Sequence, residues 1–129
     1  MKKVILTSLA LSGLLWSQSV QEIITANSCM TCHAISSKKN APAFAGIARR
    51  NQMQNGSNAK EIIMYTIKNG SSGKYQKFTN TVMPSYANLS AEELELLADY
   101  ILAQASKAQG KHHGHGGGYG QENGRGYGR

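Results

Sequence analysis

The chain has 129 residues, of which 40% are hydrophobic, and its formal net charge is +7. This length allows one domain with short extensions. The basic excess favours acidic surfaces on a protein partner, whereas nucleic acid is not expected as a partner because no nucleic-acid-binding module is recognisable.

Residues 1–19 are predicted to be a secretory signal peptide. Lys2 and Lys3 supply a positive start, and the stretch 4–16 is largely apolar. Serines at positions 17 and 19 then provide small residues for cleavage after residue 19. The apolar run is shorter than the roughly 20 residues that a membrane span needs. We therefore expect a periplasmic protein that does not span the membrane once processed.

Residues 20–106 are predicted to form one domain, whose patterns are helical. Short helices are expected at 20–27 and around 43–50, separated by a polar loop that closes at Pro42. No segment alternates apolar and polar residues as a half-buried strand would. The predicted fold class is therefore all-α. A domain of this size buries only a modest core, which a large apolar cofactor would complete.

Two further helices carry clear terminal signals. Asn58 and Ser90 are typical N-caps, and Glu61 and Glu93 follow them at the spacing of a capping box. The first of these helices is expected to stop at Gly70. The second is the clearest element, because its apolar residues form one continuous face. That face consists of Leu94, Leu97, Ala98, Ile101, Leu102 and Ala105.

The segment 29–33, Cys-Met-Thr-Cys-His, contains the only two cysteines of the chain. Near a helix end, residues three and four apart share a face, so two thiols and an imidazole can meet one flat object. Two thioether bonds to the vinyl groups of haem, with the imidazole on the iron, are the chemistry of this signature. The motif predicts one covalent haem c, attached at Cys29 and Cys32, with His33 as an axial ligand.

Three other uses of the motif are less well supported. A thioredoxin-like redox pair would need a βαβ context, which the helical patterns do not provide. A structural zinc site needs four ligands, and only three lie nearby. A disulfide between cysteines three apart would close a small loop and stabilise the fold little.

Met83 is the predicted sixth ligand of the iron. It lies in a loop-rich segment, where its side chain can turn toward a haem face, and Pro84 restricts its backbone to extended conformations. Met30 is inside the attachment loop, Met64 falls within a predicted helix, and Met53 lacks a comparable context. The alternative is that Met83 only fills space in the core.

These blocks resemble the single-haem class I c-type cytochromes of bacteria. The attachment motif is followed by Ala-Pro-Ala-Phe at 41–44, then by the stretch 67–73 that runs on to Met83 and Pro84, and the capped helix from Ser90 completes the order. The resemblance implies the cytochrome c fold, a few helices wrapped around one covalently bound haem. It also implies an electron carrier between respiratory partners, for example a membrane-bound reductase and a terminal oxidase or peroxidase.

The resemblance further implies roles for individual residues. His33 and Met83 would be the axial ligands, and the backbone carbonyl of Pro42 would accept a hydrogen bond from the ligand imidazole. Relatives often have glycine where this chain has Ala41, which is a departure from the family pattern. With both axial positions filled, the iron has no vacancy for a substrate, so a carrier rather than an enzyme is expected.

Several basic residues lie in segments expected to surround the exposed haem edge. We expect four lysines to form a docking ring for acidic redox partners, with a generally solvated basic surface as the alternative. These are Lys38, Lys39, Lys74 and Lys77. Arg50 or Tyr75 is a candidate to bond the haem propionates.

Residues 107–129 are predicted to be a disordered tail, because they contain nine of the fourteen glycines and three of the four histidines. Two alternative functions stay open at this point. His112, His113 and His115 could chelate Cu²⁺, Ni²⁺ or Zn²⁺, although a passive tail is the simpler interpretation. A haem peroxidase, or a redox or gas sensor, would instead use Met83 as a labile ligand.

Overall fold

The structure is a computed structural model that describes residues 18–108. The predicted signal peptide up to residue 17 and the predicted tail beyond residue 108 lie outside the described residues. Within 18–108, the predicted all-α class is confirmed. The helices are α1 (Val20–Ala26), α2 (Phe44–Asn55), α3 (Ala59–Asn69) and α4 (Ala91–Ala103). Short 3-10 turns lie at Cys29–Thr31, Gly56–Asn58, Gln76–Phe78 and Ala105–Lys107.

Helices α1 and α4 begin in the same way, because each starts with a capping box. The hydroxyls of Ser19 and Ser90 accept hydrogen bonds from the backbone N–H groups of Glu22 and Glu93. The two carboxylates accept in return from the serine N–H groups, at 2.7 and 2.8 Å. These bonds satisfy donors that the first turn of a helix leaves unpaired. The box predicted at Ser90 is present.

The capping box predicted at the start of α3 is wrong. Asn58 has backbone angles of φ −86° and ψ 1°, and its side chain makes no capping hydrogen bond to the residues around Glu61. The preceding residues, Gly56–Asn58, already form a 3-10 turn that runs directly into α3. The chain therefore lacks the extended residue that an N-cap requires. Helix α2 also continues to Asn55, beyond the predicted patch at 43–50.

A small antiparallel ladder, which the sequence did not predict, connects β1 (Ser71–Ser72) and β2 (Val82–Met83). Ser71 is paired with Met83, and Ser72 with Val82. Strands of two residues are too short to show the alternation that identifies a strand in a sequence. The ladder holds the segment that carries Met83 against the residues that follow α3.

The core lies where α4 packs against α1, α2 and α3. On the predicted apolar face of α4, four residues are buried, whereas Leu102 and Ala105 are only partly buried. The buried four are Leu94, Leu97, Ala98 and Ile101. Burial of such side chains is the main stabilising contribution to a small helical domain. No helix within residues 18–108 combines the length and apolar character needed to cross a bilayer.

Candidate haem site

A cavity opens between the turn that carries the cysteines, helix α3 and the loop that carries Met83. It contains about 1120 Å³ of empty space, solvent at its mouth included. Cys29, Cys32, His33 and Met83 all line the cavity, among many apolar neighbours. Residues that are some fifty positions apart in the sequence are therefore brought to one site.

The cysteines are presented by the 3-10 turn Cys29–Thr31. Ser28, immediately before it, has left-handed backbone angles of φ 53° and ψ 32°, which turn the chain away from the axis of α1. The His33 N–H then donates to the Cys29 carbonyl at 3.1 Å. This bond places Cys29 and His33 one turn apart on the same side. Cys29 is half-buried and Cys32 is exposed at the cavity.

The state of the cysteines favours attachment chemistry over a redox pair. Burial raises the pKa of the Cys29 thiol. Redox-active cysteines depend on the opposite shift, because a lowered pKa generates the reactive thiolate. The shift at Cys29 is therefore the reverse of the one that a thioredoxin-like redox pair uses.

The His33 imidazole is buried and is oriented by Pro42. Its Nδ1 atom lies 2.7 Å from the Pro42 carbonyl oxygen. A carbonyl can only accept, so Nδ1 carries the hydrogen and Nε2 keeps a lone pair that can bind a metal. Burial lowers the pKa of His33, although the hydrogen bond to Pro42 opposes this shift. The neutral ring is the form that ligates metals.

Residues 29–33, which carry both cysteines and His33, are called the attachment turn from here on. The segment that contains Pro42 is fixed beside this turn by backbone hydrogen bonds. The Ala41 N–H donates to the Cys32 carbonyl, and the Phe44 N–H donates to the Ala34 carbonyl, both at 2.9 Å. Ala41 is buried and its φ is not positive, so a Cβ is accommodated without backbone strain. The departure from the glycine that relatives often have here therefore leaves the segment in place.

The loop that carries Met83 is anchored on the last turn of α3. The Ser85 hydroxyl donates to the Lys68 carbonyl at 2.6 Å, and the Tyr86 N–H donates to the Ile67 carbonyl at 3.1 Å. These two bonds satisfy carbonyls that the end of a helix leaves without partners, and the ladder pairs the residues that follow α3. Met83 is half-buried, and its loop is held on both sides by backbone contacts.

Gly70 permits the closest of these contacts. Its φ is +76°, a value that favours glycine, and a Cβ at this position would lie 2.6 Å from the Met83 carbonyl oxygen. The carbonyl oxygen of Met83 belongs to the backbone and not to the end of a flexible side chain. A larger residue at position 70 would therefore have to displace the backbone around Gly70 or around Met83. Gly70, which was predicted to end the helix, thus also allows the close backbone contact that holds the Met83 loop in place.

Polar side chains line another part of the cavity. Lys74 is half-buried, and its Nζ atom donates to the Thr66 hydroxyl at 2.9 Å. Arg50 is not among the lining residues, but its guanidinium carbon lies 4.4 Å from the centre of the Tyr75 ring, in a cation–π contact. Burial raises the pKa of the Tyr75 phenol, an effect that Arg50 opposes. Asn51 completes this part of the lining.

Three further residues line the cavity that were not predicted as site residues: Asn51, Thr66 and Tyr86. A signal existed for two of them. Asn51 follows Phe44 at helical spacing on the buried side of α2, and Thr66 lies three residues after the buried Ile63 on α3. A polar residue on an otherwise apolar helix face often points into a site.

The four lysines expected to form a docking ring do not behave alike. Lys38, Lys39 and Lys77 are exposed, whereas Lys74 is half-buried and lines the cavity. The Lys39 ammonium donates to the Met30 carbonyl at 2.7 Å, which ties it to the attachment turn. The structure therefore divides the predicted set into three surface lysines and one that faces the site.

Known proteins resemble this chain in both sequence and fold. A family model described as cytochrome c matches residues 17–105. Cytochrome c-551 of Pseudomonas aeruginosa is 32% identical over 109 residues, which span 81% of this chain and 99% of that protein. Cytochrome c552 of Nitrosomonas europaea has a TM-score of 0.57 at 30% identity, covering 65% of this chain and 98% of its own. Class 1 cytochrome MtoD of Sideroxydans lithotrophicus ES-1 shares the fold, with a TM-score of 0.53 at 16% identity over 67% of this chain and 92% of its own.

Replacement of Gly70 by alanine is expected to displace the Met83 loop. The added methyl group would meet the Met83 carbonyl at 2.6 Å, and the positive φ adds strain, so the free energy of unfolding should fall by about 1–3 kcal/mol. Chemical denaturation of the purified haem protein measures this loss. The weak red absorption band of the oxidised protein, a sign of methionine on iron, should also weaken.

Gly46→Ala is the matched control, because Gly46 lies within α2 and an added Cβ there meets no atom within 4 Å. This variant should gain about 0.5–1 kcal/mol, since alanine is the better helix former. If both variants have the same free energy of unfolding and keep the red band, the contact between Gly70 and Met83 does not hold the loop in place.

Proposed function

The chain belongs to the cytochrome c family, and we propose that it is a periplasmic electron carrier whose iron is ligated by His33 and Met83. Proteins of this family bind one covalent haem c and carry electrons. Cys29 and Cys32 fit the attachment motif. Family membership confirms the predicted haem c and the predicted cytochrome c fold. The periplasmic location is supported by the signal peptide that the sequence predicts.

One observation carries the assignment of the ligands. A single cavity is lined by two cysteines, by an imidazole whose Nε2 lone pair is free, and by the half-buried Met83. The donor set matches what a c-type haem requires: two thiols for attachment and one nitrogen and one thioether for the iron. When bound, the haem supplies a one-electron couple, and methionine–histidine ligation raises its potential.

These residues would hold the same ligand set in both oxidation states of a bound haem. The His33 ring is fixed by its bond to Pro42 at 2.7 Å, and the Met83 backbone is fixed by Gly70 and the ladder. Because neither ligand has to move, little reorganisation opposes electron transfer. With His33 and Met83 both on the iron, no coordination position would be left for peroxide or another substrate, which favours a carrier over a peroxidase.

Replacement of Met83 by alanine tests the carrier against the enzyme. With the thioether gone, the iron should become high-spin, the red band should vanish, and the ferrous protein should bind carbon monoxide. At the wild-type midpoint potential, the ratio of reduced to oxidised protein should fall about tenfold or more, because a ligand that favours ferrous iron is lost. Potentiometric titration with absorbance detection measures all of these changes except gas binding.

Met53→Ala is the control, because Met53 is 77% exposed on α2. It should retain the wild-type spectrum and potential. A wild-type protein that is already high-spin, and that Met83→Ala leaves unchanged, would instead support the peroxidase or sensor.

The surface around the attachment turn supports docking to acidic partners. Lys38 and Lys77 come from separate segments and lie side by side. The Lys38 side chain lowers the pKa of Lys77, because two ammonium groups can only donate hydrogen bonds and therefore repel each other. Lys39 reaches the Met30 carbonyl within the attachment turn, and Cys32 is exposed on the same turn. Carboxylates on a redox partner would relieve the repulsion and bring that partner to the haem edge.

Removal of two of these charges, in the Lys38→Gln, Lys77→Gln double variant, is expected to slow electron transfer. With a purified acidic redox partner at low ionic strength, the second-order rate should fall by about three- to tenfold, because steering is weakened. The dependence of the rate on salt should also become shallower. Stopped-flow absorbance measures both quantities.

Lys107→Gln removes a charge from an exposed lysine after α4 and should leave the rate near that of the wild type. If the wild type, the double variant and Lys107→Gln react at equal rates at every salt concentration, the proposed docking surface of Lys38, Lys39 and Lys77 is refuted.

A further inference from the structure

Lys74 is held at the cavity by a side chain of α3. Its Nζ atom donates to the Thr66 hydroxyl at 2.9 Å, and that hydroxyl in turn donates to the Ile62 carbonyl at 2.7 Å. An ammonium group has three hydrogens to donate. Within the described part of the chain, Thr66 is the one side-chain acceptor that Lys74 reaches. The half-buried ammonium thus has donor capacity left at the cavity that it lines.

A second cation lies close to Lys74. The Arg50 guanidinium stacks on the Tyr75 ring, and its charge acts on Lys74 strongly enough to contribute, after burial, to a lowered pKa of the lysine. Across residues 18–108, the ion pairs all involve Lys60, so no carboxylate neutralises either group. Two like charges at a partly buried site are unfavourable unless an anion joins them.

We propose that Lys74 binds a carboxylate of the haem and, with Arg50 beside it, sets the reduction potential instead of docking partners. This inference rests on the proposed function, which brings a haem with two carboxylates to this cavity. A haem carboxylate would accept hydrogen bonds from the Lys74 N–H groups that Thr66 does not use. Its negative charge would also offset the repulsion between Lys74 and Arg50. Tyr75, which lines the cavity next to them, adds a phenol donor. Lys74 is therefore a positioning residue of the haem site.

The sign of the effect on the potential follows from Coulomb's law. The oxidised site carries one more positive charge than the reduced site, so an uncompensated carboxylate nearby stabilises the oxidised state. Lys74 neutralises that carboxylate and thereby favours reduction. Loss of its charge should lower the potential, whereas loss of a lysine charge at the exposed surface should change it little, because solvent and salt screen it.

The test is a potentiometric titration of the purified haem protein in three variants. In Lys74→Gln, the ratio of reduced to oxidised protein at the wild-type midpoint should fall by about two- to tenfold. Lys74→Arg keeps the charge and should restore most of that ratio. Lys107→Gln removes the same charge from an exposed lysine after α4 and should leave the ratio near the wild-type value.

Two measurements on the same samples separate this inference from the proposed function. The mass of the chain reports covalent attachment, and the red band reports methionine on iron. A wild-type protein without either would overturn the proposed function itself. If the wild type has both, and Lys74→Gln titrates like Lys107→Gln, the role of Lys74 is refuted. A wild-type potential that changes with added phosphate, while that of Lys74→Gln does not, would also refute it, since a free anion and not a haem carboxylate would then occupy the site.

Discussion

The close approach of the backbone at Gly70 to that at Met83 is the constraint on which the site depends. The two segments meet so tightly that a Cβ on Gly70 would lie 2.6 Å from the Met83 carbonyl oxygen. This contact, the two-residue ladder and the bonds to the end of α3 hold the Met83 loop across the cavity from the attachment turn. Without these contacts, little would hold the polar loop in one conformation, and the Met83 thioether would have no fixed position.

The opposite side of the site is built by different means. Ser28 turns the chain out of α1, a 3-10 turn presents the cysteines, and Pro42 fixes the orientation of His33. Each of the two proposed ligands, His33 and Met83, is therefore held by backbone geometry and not by its own side-chain contacts alone. With both of them on the iron, such a site would suit the transfer of electrons, which needs little motion, better than the binding and release of a substrate.

Much of this could be predicted from the sequence, because the decisive signals are local. The attachment motif, the capping box at Ser90 and the apolar face of α4 each depend on residues within a few positions of one another. The failures concern interactions that no local pattern encodes. Asn58 does not cap α3, since a preceding turn runs into the helix, and Lys74 points to the cavity, since Thr66 from another element holds it there. Exposure of a lysine is decided by tertiary packing, which charge and position in a loop do not reveal.

The central claim, that a histidine and a methionine ligate one iron, is tested most directly by X-ray absorption at the iron edge of the purified wild-type protein. The first coordination shell should contain one sulfur scatterer and five nitrogens in both the oxidised and the reduced protein, because the anchored ligands stay in place. A shell of nitrogen and oxygen atoms without sulfur, in either state, would contradict the account.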